Sequence, residues 1–501
     1  MIRGYTAEQV RAAERPLLDA GRPLMQHAAR ALAGRVAEHL RAPDEPYVVV
    51  LAGSGDNGGD GLHAAALLRG QGIAADAIAA ADGLHAGGAE ALREAGGTLH
   101  DLGDTGLEDL HSRLAEVDLV LDAIVGIGGR PEVPARLTTL LEAVRRCGVP
   151  VIAVDVPSFV DASTGQAAPG ALAARETVTF GAVKAGLLLP GGAELAGHVH
   201  RVDLGLADHL PSEPAVLRLD DAEVTERWPH PERDATKYSR GVVAIAAGSP
   251  RFPGAAVLTS SGAARAGAGM VRVIAPQSVL DLVLHTRPEV VGHPAESVDP
   301  EAIGRLHALV VGPGLAGDDP RTRAGVDLLS TAGEEDKRGE VARGVIDAGG
   351  LDAIGAAHRF SGDVVLTPHR GEADRLAERL GIDRDLPGSD LAVALAAATG
   401  ATVLLKGAIT LVAPADGGPL RTQDDATSQL ATAGTGDVLA GMAGTLLAAG
   451  LSGPDAASLA AILHGRAGRL ASRDGMLPLV ALDVAEHVPE ALGTILAGAL
   501  S

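Results

Sequence analysis

Short apolar runs that lack polar alternation, separated by helical segments, constrain the fold of this chain more than any other feature. The first half carries three of them, over residues 47–52, 117–122 and 150–155. A strand covered on both faces gives such a run, as in a parallel sheet flanked by helices. Helical stretches over residues 6–40 and 63–69 complete the alternation of a doubly wound domain. The first half is therefore predicted to be a three-layer αβα domain with a parallel sheet.

The same rhythm restarts after a polar, proline-bearing segment at residues 208–234. Because 501 residues exceed the size at which a single core stops growing, this segment is predicted to separate two domains, at residues 1–212 and 222–501. The strands predicted for the second half are 242–247, 270–274, 308–311, 344–347, 363–366, 402–405 and 409–412. A second αβα sandwich follows from this pattern.

Composition excludes several classes of function. The net charge of −22 without a basic stripe argues against a nucleic-acid partner. The longest weakly charged stretch, residues 438–453, falls short of the roughly 20 apolar residues of a membrane span and is predicted to be a buried helix. The single Cys147 excludes an intrachain disulfide and a thiolate zinc site. No signal-peptide pattern opens the chain, so a cytoplasmic protein is expected.

A glycine-rich loop follows the first apolar run, from Gly53 to Gly61. It contains a G-x-G-x-x-G pattern between a strand and a helix, which alone is a weak sign of dinucleotide binding. Asp56 and Asp60 place carboxylates where a pyrophosphate would rest. Oxygen ligands for a cation, combined with backbone amides for a phosphate, fit these residues better, and a purely structural turn is the alternative.

Polar side chains also end the next two predicted strands. Asp122 and Asp155 lie at these ends, and Ser158 follows closely. A lone Asp at a strand end is often only a helix cap, but ligands of open α/β sheets bind beyond the carboxyl ends of strands. Asn57, Asp122 and Ser158 would supply hard oxygen donors for an alkali or alkaline-earth ion. Asp155 would remain free for proton chemistry.

The strongest motif is Gly434-Thr435-Gly436-Asp437, followed by an apolar helical run. Its backbone amides and the helix dipole favour an anion, and Asp437 is placed to act as a base near a phosphoryl acceptor. A capping Asp on a packing helix is the alternative. The chain has no Walker A pattern, which argues against a P-loop NTPase.

Three further segments end predicted strands in the second half. Lys406-Gly407-Ala408-Ile409-Thr410 lies between two strands, where main-chain groups could line a nucleotide. His369 follows a strand in a proline-restrained turn, and Gly314 offers close backbone approach. His464, on a late helix, is interpreted as a core residue.

Residues 1–210 resemble the NAD(P)H-hydrate epimerase domain. The matching residues, in order, are Asn57-Gly58-Gly59-Asp60-Gly61, Asp122-Ala123, Val154-Asp155-Val156-Pro157-Ser158, and Thr177-Val178-Thr179-Phe180 with Lys184. The resemblance implies a Rossmann-like fold, a potassium ion held by Asn57, Asp122 and Ser158, and catalysis assisted by Asp155. It also implies that the hydrate is bound by Asp56, Asn57, Gly58, Gly59, Asp60, Gly126, Ile127, Gly128, Gly129, Arg130, Pro131, Glu132 and Asp155. The chain departs from the family pattern at Asp56, usually Asn, and at Phe159-Val160, usually Gly-Leu.

Residues 222–501 resemble the NAD(P)H-hydrate dehydratase domain of the ribokinase-like superfamily. The matching residues, in order, are Lys237 with Arg240-Gly241, Gly248-Ser249, Gly254-Ala255-Ala256, Gly267-Ala268-Gly269, Gly312-Pro313-Gly314, Thr367-Pro368-His369, Lys406-Gly407 and Gly434-Thr435-Gly436-Asp437. The resemblance implies that Ala255, Gly314, His369 and Asp437 contact the hydrate. Lys406, Gly407, Ala408, Ile409, Thr410, Gly434, Thr435 and Gly436 would hold ADP or ATP with magnesium. The chain departs from the pattern at Gly349-Gly350 and at Phe252, which is often Tyr.

Together the two resemblances imply repair of hydrated NADH and NADPH. The first domain would interconvert the R and S hydrates at C6 of the nicotinamide ring. The second would remove water from the S form at the expense of ADP or ATP, with Asp437 as the base. The alternatives are a small-molecule kinase of the ribokinase type fused to a Rossmann-like ligand-binding domain, and a nucleotide sensor without catalysis. A homo-oligomer is expected, without a membrane or nucleic-acid partner.

Overall fold

The computed structural model describes residues 1–40, 45–103, 106–330 and 343–498. The chain divides into two compact units, Ile2–Val216 and Leu217–Ser501, and the division falls inside the proline-bearing segment. Among the described helices, none is both long enough and apolar enough to cross a membrane.

The N-terminal unit alternates strands and helices along its length. In chain order its elements are β1 (Ile2–Tyr5), α1 (Ala7–Asp19), α2 (Leu24–His39), β2 (Tyr47–Ala52), α3 (Asp56–Gly70), β3 (Ala74–Ala79), α4 (Ala86–Glu94), β4 (Leu99–Asp101), α5 (Leu107–Leu114), β5 (Leu119–Ala123), α6 (Thr138–Cys147), β6 (Val151–Val154), β7 (Glu176–Phe180), β8 (Val183–Lys184), α7 (Gly192–Ala196) and β9 (His198–Val202).

Seven of these strands form one parallel sheet in the order β4-β3-β2-β5-β6-β7-β9. Apolar clusters lie on both faces of the sheet, one against α2 and α3 and the other against α5 and α6. The three-layer prediction is confirmed. The chain runs from β2 outward to β4 and then returns to place β5 on the other side of β2, so a topological switch lies between β2 and β5. Ligands bind at such switch points in open α/β sheets.

The predicted elements of this unit are found, with shifted ends. The run at 47–52 is β2, whereas 117–122 and 150–155 correspond to the shorter β5 and β6. The helix predicted from residue 63 already begins at Asp56, with Gly55 as its N-cap in an extended conformation. The helical stretch predicted over residues 6–40 forms α1 and α2, whose apolar residues are only partly buried: Leu18 is 57% exposed, whereas Leu24, Ala28 and Leu32 are buried.

The C-terminal unit repeats the alternation with more strands. Its elements, beginning at the division, are β10 (Val216–Arg218), α8 (Asp221–Arg227), β11 (Val242–Ala246), α9 (Gly254–Arg265), β12 (Met270–Ala275), α10 (Gln277–Thr286), β13 (Val291–Pro294), α11 (Pro300–Ile303), β14 (Ala308–Val311), α12 (Pro320–Leu329), β15 (Gly344–Ile346), α13 (Gly349–Asp352), β16 (Val364–Leu366), α14 (Arg370–Leu380), α15 (Gly388–Thr399), β17 (Thr402–Leu405), β18 (Thr410–Ala413), β19 (Leu420–Gln423), α16 (Thr435–Ala448), α17 (Gly453–Ser472) and α18 (Ala481–Gly498).

Within this unit, the strands from β11 to β17 pair in parallel in the order β13-β12-β11-β14-β15-β16-β17. β18 and β19 extend the sheet as antiparallel strands. All seven predicted strands are present; those at 308–311 and 402–405 have the predicted ends, and the other five differ by one residue at one or both ends. An αβα sandwich results, in which α16 and α9 pack together, α16 packs against β11 and β14, and α9 packs against β11. The buried helix predicted at residues 438–453 is present as α16, which begins three residues earlier and already ends at Ala448.

Candidate active sites

A cleft of about 640 Å³ lies at the switch point of the first sheet, beyond the carboxyl ends of β2, β5 and β6. We call it the N-terminal cleft. Its lining residues come from α1, α2, the glycine-rich loops at residues 53–61 and 126–129, and the strand ends. The lining residues that the sequence predicted are Asp56, Asn57, Asp60, Gly126, Ile127, Gly128 and Asp155.

Other residues predicted for this site lie at its margin. Gly58 and Gly59 belong to the first turns of α3 behind the lining residues. Pro131 and Glu132 line a separate cavity of about 280 Å³ beside α6. Glu14 and Arg11 on α1 also line the cleft, although they were not predicted as site residues. No local motif marks them, because only the packing of α1 brings them there.

An oxygen-rich cluster lies beneath the cleft. Asp122 is fully buried, and its two carboxylate oxygens accept from the Ser158 hydroxyl at 2.6 Å and the Ser158 backbone N–H at 2.9 Å. The Ser158 hydroxyl also lies 3.2 Å from the Val125 carbonyl. The amide oxygen of Asn57 faces Gly126, where any Cβ would come within 2.6 Å of it, so glycine is required there.

These donors fit a potassium ion. Hydroxyl, amide, carbonyl and carboxylate oxygens are what hard cations prefer. Burial raises the pKa of Asp122 even though its hydrogen bonds to Ser158 act in the opposite direction, so a bound cation would offset a buried negative charge. The Asn57 side-chain nitrogen is buried without a hydrogen-bond partner among the described residues. The carbonyl oxygen of Val125 is a further candidate ligand for the cation, which the sequence did not predict.

Asp155 is fixed by a buried lysine. The Lys184 side chain is 1% exposed, and its ammonium donates to Asp155 Oδ1, to the Phe180 carbonyl at 2.9 Å and to the Thr179 hydroxyl at 3.2 Å. Asp155 Oδ1 also accepts from the Thr179 hydroxyl and the Phe180 N–H, each at 3.2 Å. Asp155 itself has a φ of +66°, a left-handed conformation that turns its side chain at the strand end.

The loop after Asp155 contains a second left-handed residue. Phe159, which replaces the glycine usual in similar sequences, has a φ of +69° and a buried ring. Such a conformation costs a non-glycine residue roughly 1–2 kcal/mol. The burial of the ring offsets this strain.

The glycine loop of the C-terminal unit, Gly434–Gly436, lies at the amino end of α16. Gly434 is the N-cap residue with a φ of +90°, and a Cβ at this position would come within 2.4 Å of Leu258 on α9. Both facts require glycine. Asp437 follows in the first turn, as predicted, so the free N–H groups of the helix and its carboxylate share one site. The helix is otherwise buried along its length, which holds the loop in place.

A charged cluster surrounds Asp437. The Lys406 ammonium lies 2.9 Å from Asp347 Oδ1 and 3.7 Å from Glu372 Oε2, and a Cβ on Gly436 would be 3.3 Å from it. Burial, followed by the negative charge of Asp347, raises the pKa of Asp437 to about 7, while Lys406 opposes the rise. Burial lowers the pKa of Lys406, but the carboxylates of Asp347, Glu372 and Asp437 outweigh it and the net shift is upward. Asp347 and Glu372 were not selected from the sequence as site residues.

The remaining predicted residues of this site adjoin the cluster. His369 pairs with Lys406 across a parallel bridge and caps α14, where its backbone N–H donates to Glu372 Oε2 at 2.8 Å. Its side chain is 57% exposed, so it is available to a ligand. Gly314 approaches Ala255 so closely that an added Cβ would lie 2.6 Å from the Ala255 Cβ.

The segment predicted to line a nucleotide lies between two strands, and His464 lies on a late helix, as the sequence predicts. Lys406, Gly407, Ala408 and Ile409 form the turn between β17 and β18, with Gly407 and Ala408 exposed. His464 is 8% exposed, and its Nε2 lies 2.9 Å from the Thr435 carbonyl. Burial lowers the pKa of His464 to about 4, so the ring is neutral and supports the glycine loop from the core.

Both units of the chain match known protein families. Residues 21–186 match the family described as YjeF-related protein N-terminus, and residues 243–490 match NAD(P)H-hydrate dehydratase. The bifunctional NAD(P)H-hydrate repair enzyme of Mycobacterium leprae is 38% identical over 510 residues, covering 98% of this chain and 99% of that protein. This chain belongs to the family of bifunctional NAD(P)H-hydrate repair enzymes.

Other repair enzymes of this name are similar over most of their length. That of Mycobacterium tuberculosis H37Rv is 39% identical over 470 residues, covering 91% of each chain. That of Escherichia coli K12 is 32% identical over 452 residues, covering 88% of this chain and 84% of that protein. The ADP/ATP-dependent NAD(P)H-hydrate dehydratase of Bacillus subtilis, co-crystallised with ATP and Mg²⁺, is 26% identical, with a TM-score of 0.46, covering 55% of this chain and 97% of that one.

The chain is thus a repair enzyme with an epimerase and a dehydratase domain, acting on NAD(P)H hydrates. The alternative of a small-molecule kinase receives no support from the repair enzymes, because their similarity extends through both the N-terminal and the C-terminal unit.

Proposed function

We propose that epimerisation takes place in the N-terminal cleft and dehydration at the Gly434 loop. The observation that carries the second assignment is the placement of Asp437 beside Gly436 and the Lys406 ammonium, which joins a base to an anion-binding site. The first assignment rests on Asp155, a carboxylate at the floor of a cleft of about 640 Å³ with a buried lysine as its partner.

In the dehydratase site, Asp437 accepts the proton of the C6 hydroxyl group of the S hydrate. The oxygen then attacks the terminal phosphoryl group of ADP or ATP, and the bond from that phosphorus to its bridging oxygen breaks, which releases AMP or ADP. The N–H groups of the Gly434 loop and the Lys406 ammonium stabilise the negative charge that develops on that group. Phosphate leaves C6 more readily than hydroxide, and loss of the C5 proton restores the C5=C6 double bond.

The other predicted residues position the two ligands. Ala255, Gly314 and His369 would contact the hydrate, and the turn from Lys406 to Thr410 would line the nucleotide. The Bacillus subtilis dehydratase was co-crystallised with ATP and Mg²⁺, and we propose magnesium as the partner of the nucleotide here. Magnesium neutralises phosphate charge when bound, and the carboxylates near Lys406 are of the donor type that it prefers.

In the N-terminal cleft, Asp155 acts on the proton of the C6 hydroxyl group. Potassium would be held by Asn57, Asp122 and Ser158, where it supplies a positive charge beneath the cleft and fixes the two loops. The domain limits 1–212 and 222–501, a homo-oligomeric state and a cytoplasmic location stay predictions.

A direct experiment tests the whole assignment. Purified protein is mixed with R-enriched hydrated NADH and ADP or ATP, and the absorbance of reduced nicotinamide and free phosphate are followed. Full conversion of the R hydrate with one phosphate per NADH is expected. If the S fraction reacts at once and the R fraction is consumed only at the rate of spontaneous epimerisation, the epimerase assignment is wrong. If a phosphorylated product accumulates without NADH, the site is that of a kinase.

A further inference from the structure

The N-terminal cleft contains more carboxyl groups than binding a dinucleotide requires. Asp56, Asp60, Asp155 and Glu14 all line it, and the pyrophosphate of the substrate would add further negative charge. Carboxylates repel a pyrophosphate at close range, so their accumulation points to chemistry.

Asp60 differs from its neighbours in its surroundings. Its side chain is held in α3, the residue is 9% exposed, and its Oδ1 atom is buried without a hydrogen-bond partner among the described residues. Burial raises the pKa of Asp60 to about 8, the charges of Asp155, Asp56 and Glu14 add to the rise, and Lys184 opposes it. At neutral pH the group is therefore mostly protonated, and a buried carboxylic acid without a protein acceptor can donate to a ligand.

Asp155 has the opposite character. Its bonds to Lys184, Thr179 and Phe180 all end on Oδ1, and within the described residues no donor is assigned to Oδ2. The buried ammonium of Lys184 forms an ion pair with Oδ1. Two carboxyl groups of one cleft thus have different environments, since Asp155 is paired with a buried ammonium and Asp60 Oδ1 has no hydrogen-bond partner among the described residues, and such a contrast is the arrangement that acid–base pairs use.

The chemistry at C6 needs both an acceptor and a donor. C6 of the hydrate carries a hydroxyl group and is bonded to the ring nitrogen N1. Removal of the hydroxyl proton lets its electron pair form a C=O bond while the C6–N1 bond breaks. The electrons of that bond go to N1, which takes up a proton. Rotation and the reverse steps close the ring on the other face, so no oxidant or further reactant is consumed.

We propose that Asp60 is a second catalytic residue of the epimerase, giving a proton to the ring nitrogen and taking it back while Asp155 exchanges the proton of the C6 hydroxyl group. This inference rests on the proposed location of the epimerase reaction. It assigns to Asp60 a role in proton transfer beyond contact with the hydrate.

The test uses the full chain and R-enriched hydrated NADH, with the epimers separated by chromatography and the spontaneous rate subtracted. In Asp60→Asn, the kcat of epimerisation should fall at least 100-fold while KM changes less than about threefold, since the amide keeps the size of the side chain but cannot exchange a proton. Asp60→Glu should recover part of the rate. Asp82→Asn, which alters a fully exposed carboxyl group outside the cleft, should leave the rate unchanged.

The dehydratase activity of each variant on the S hydrate serves as an internal control for folding and concentration. The wild-type rate of epimerisation should also decline above about pH 8, where Asp60 loses its proton, with Glu14, Asp56, Asp155 and Lys184 as the charged groups that face it. An Asp60→Asn rate within threefold of wild type, a loss confined to KM, or a wild-type profile without the alkaline decline would overturn the proposal. A wild-type chain that does not interconvert the epimers at all would instead refute the proposed function.

Discussion

The Lys406 ammonium and the Asp347 carboxylate lie 2.9 Å apart at the carboxyl ends of β17 and β15. Asp347 is almost fully buried, so its charge is compensated chiefly by Lys406. Lys406 also stands next to Gly436, and its position therefore links the strand ends to the phosphate-binding loop. One ion pair thus holds the cation of the proposed dehydratase site, and both of its charges act on the pKa of Asp437, the proposed base.

Asp437→Asn should abolish dehydration and leave epimerisation intact. The amide cannot accept the hydroxyl proton, and loss of a general base lowers kcat by roughly 10²–10⁴-fold. NADH formation from the S hydrate, compared with chromatographic epimerisation of the R hydrate by the same preparation, measures both. A parallel loss of the two activities would contradict the assignment.

The same variant should be more stable than wild type at neutral pH. The pKa of Asp437 is raised by burial to about 7 in the folded protein, from 3.8 in the unfolded chain, so ionisation destabilises the native state above that range. The gain, about 1–2 kcal/mol after partial exposure is considered, should be full above pH 7 and vanish as the pH falls towards 4. Denaturant unfolding at pH 8 and pH 5 provides the comparison, and an equal stability difference at both values would refute it.

Asp347→Asn should move the pH profile of dehydration. The negative charge of Asp347 is the second cause of the raised pKa of Asp437, and its removal lowers that pKa. The acid limb of kcat/KM, expected near pH 7 in wild type, should shift downward by about half to one pH unit. Charged neighbours that stay in place are Lys406 and Glu372, while His464 is neutral at these pH values. An unchanged midpoint would show that Asp437 does not control the limb.

Potassium should activate and stabilise the epimerase domain. In potassium chloride, compared with choline chloride at equal ionic strength, wild type should show faster epimerisation and a thermal midpoint higher by a few degrees. Asp122→Asn removes the only full negative charge of the proposed donor set and should lose both effects. The dehydratase rate of each protein is the control for general salt effects, and an Asp122→Asn protein that still responds to potassium would place the ion elsewhere.

Lys184→Met should lower the free energy of unfolding far more in the wild-type chain than in a chain that already carries Asp155→Asn. The single change leaves a buried carboxylate without its cation, which costs about 3–5 kcal/mol, whereas the double variant removes both charges. Denaturant unfolding of the wild type, both single variants and the double variant gives the coupling energy. Additive effects would mean that the pair contributes nothing to stability.

The sequence predicted the parts of each site that are local. Asp122 and Asp155 end their apolar runs, and Asp437 follows its glycines within one helical turn, so strand and helix rules place them. The strands β2, β14 and β17 were predicted with their observed ends because their runs consist of apolar residues, mostly β-branched residues or leucine.

Other features depend on contacts that no local pattern encodes. Lys184 reaches Asp155 across 29 residues, and Lys406 reaches Asp347 across 59. β3, with the sequence Ala-Ala-Asp-Ala-Ile-Ala, was missed because alanine has little preference for strands and the segment is held by its neighbours in the sheet. Burial, which sets the protonation of Asp60, likewise follows only from the packing of α3.

The division into two units on one polypeptide has a consequence for metabolic flux. Every translated molecule supplies one isomerase domain and one lyase domain, so their molar ratio is fixed at unity whatever the expression level. The balance between the two steps can then be adjusted only through their turnover numbers. Mutations that slow either site change the steady-state share of unrepaired R hydrate, and more copies of the gene would not restore that share.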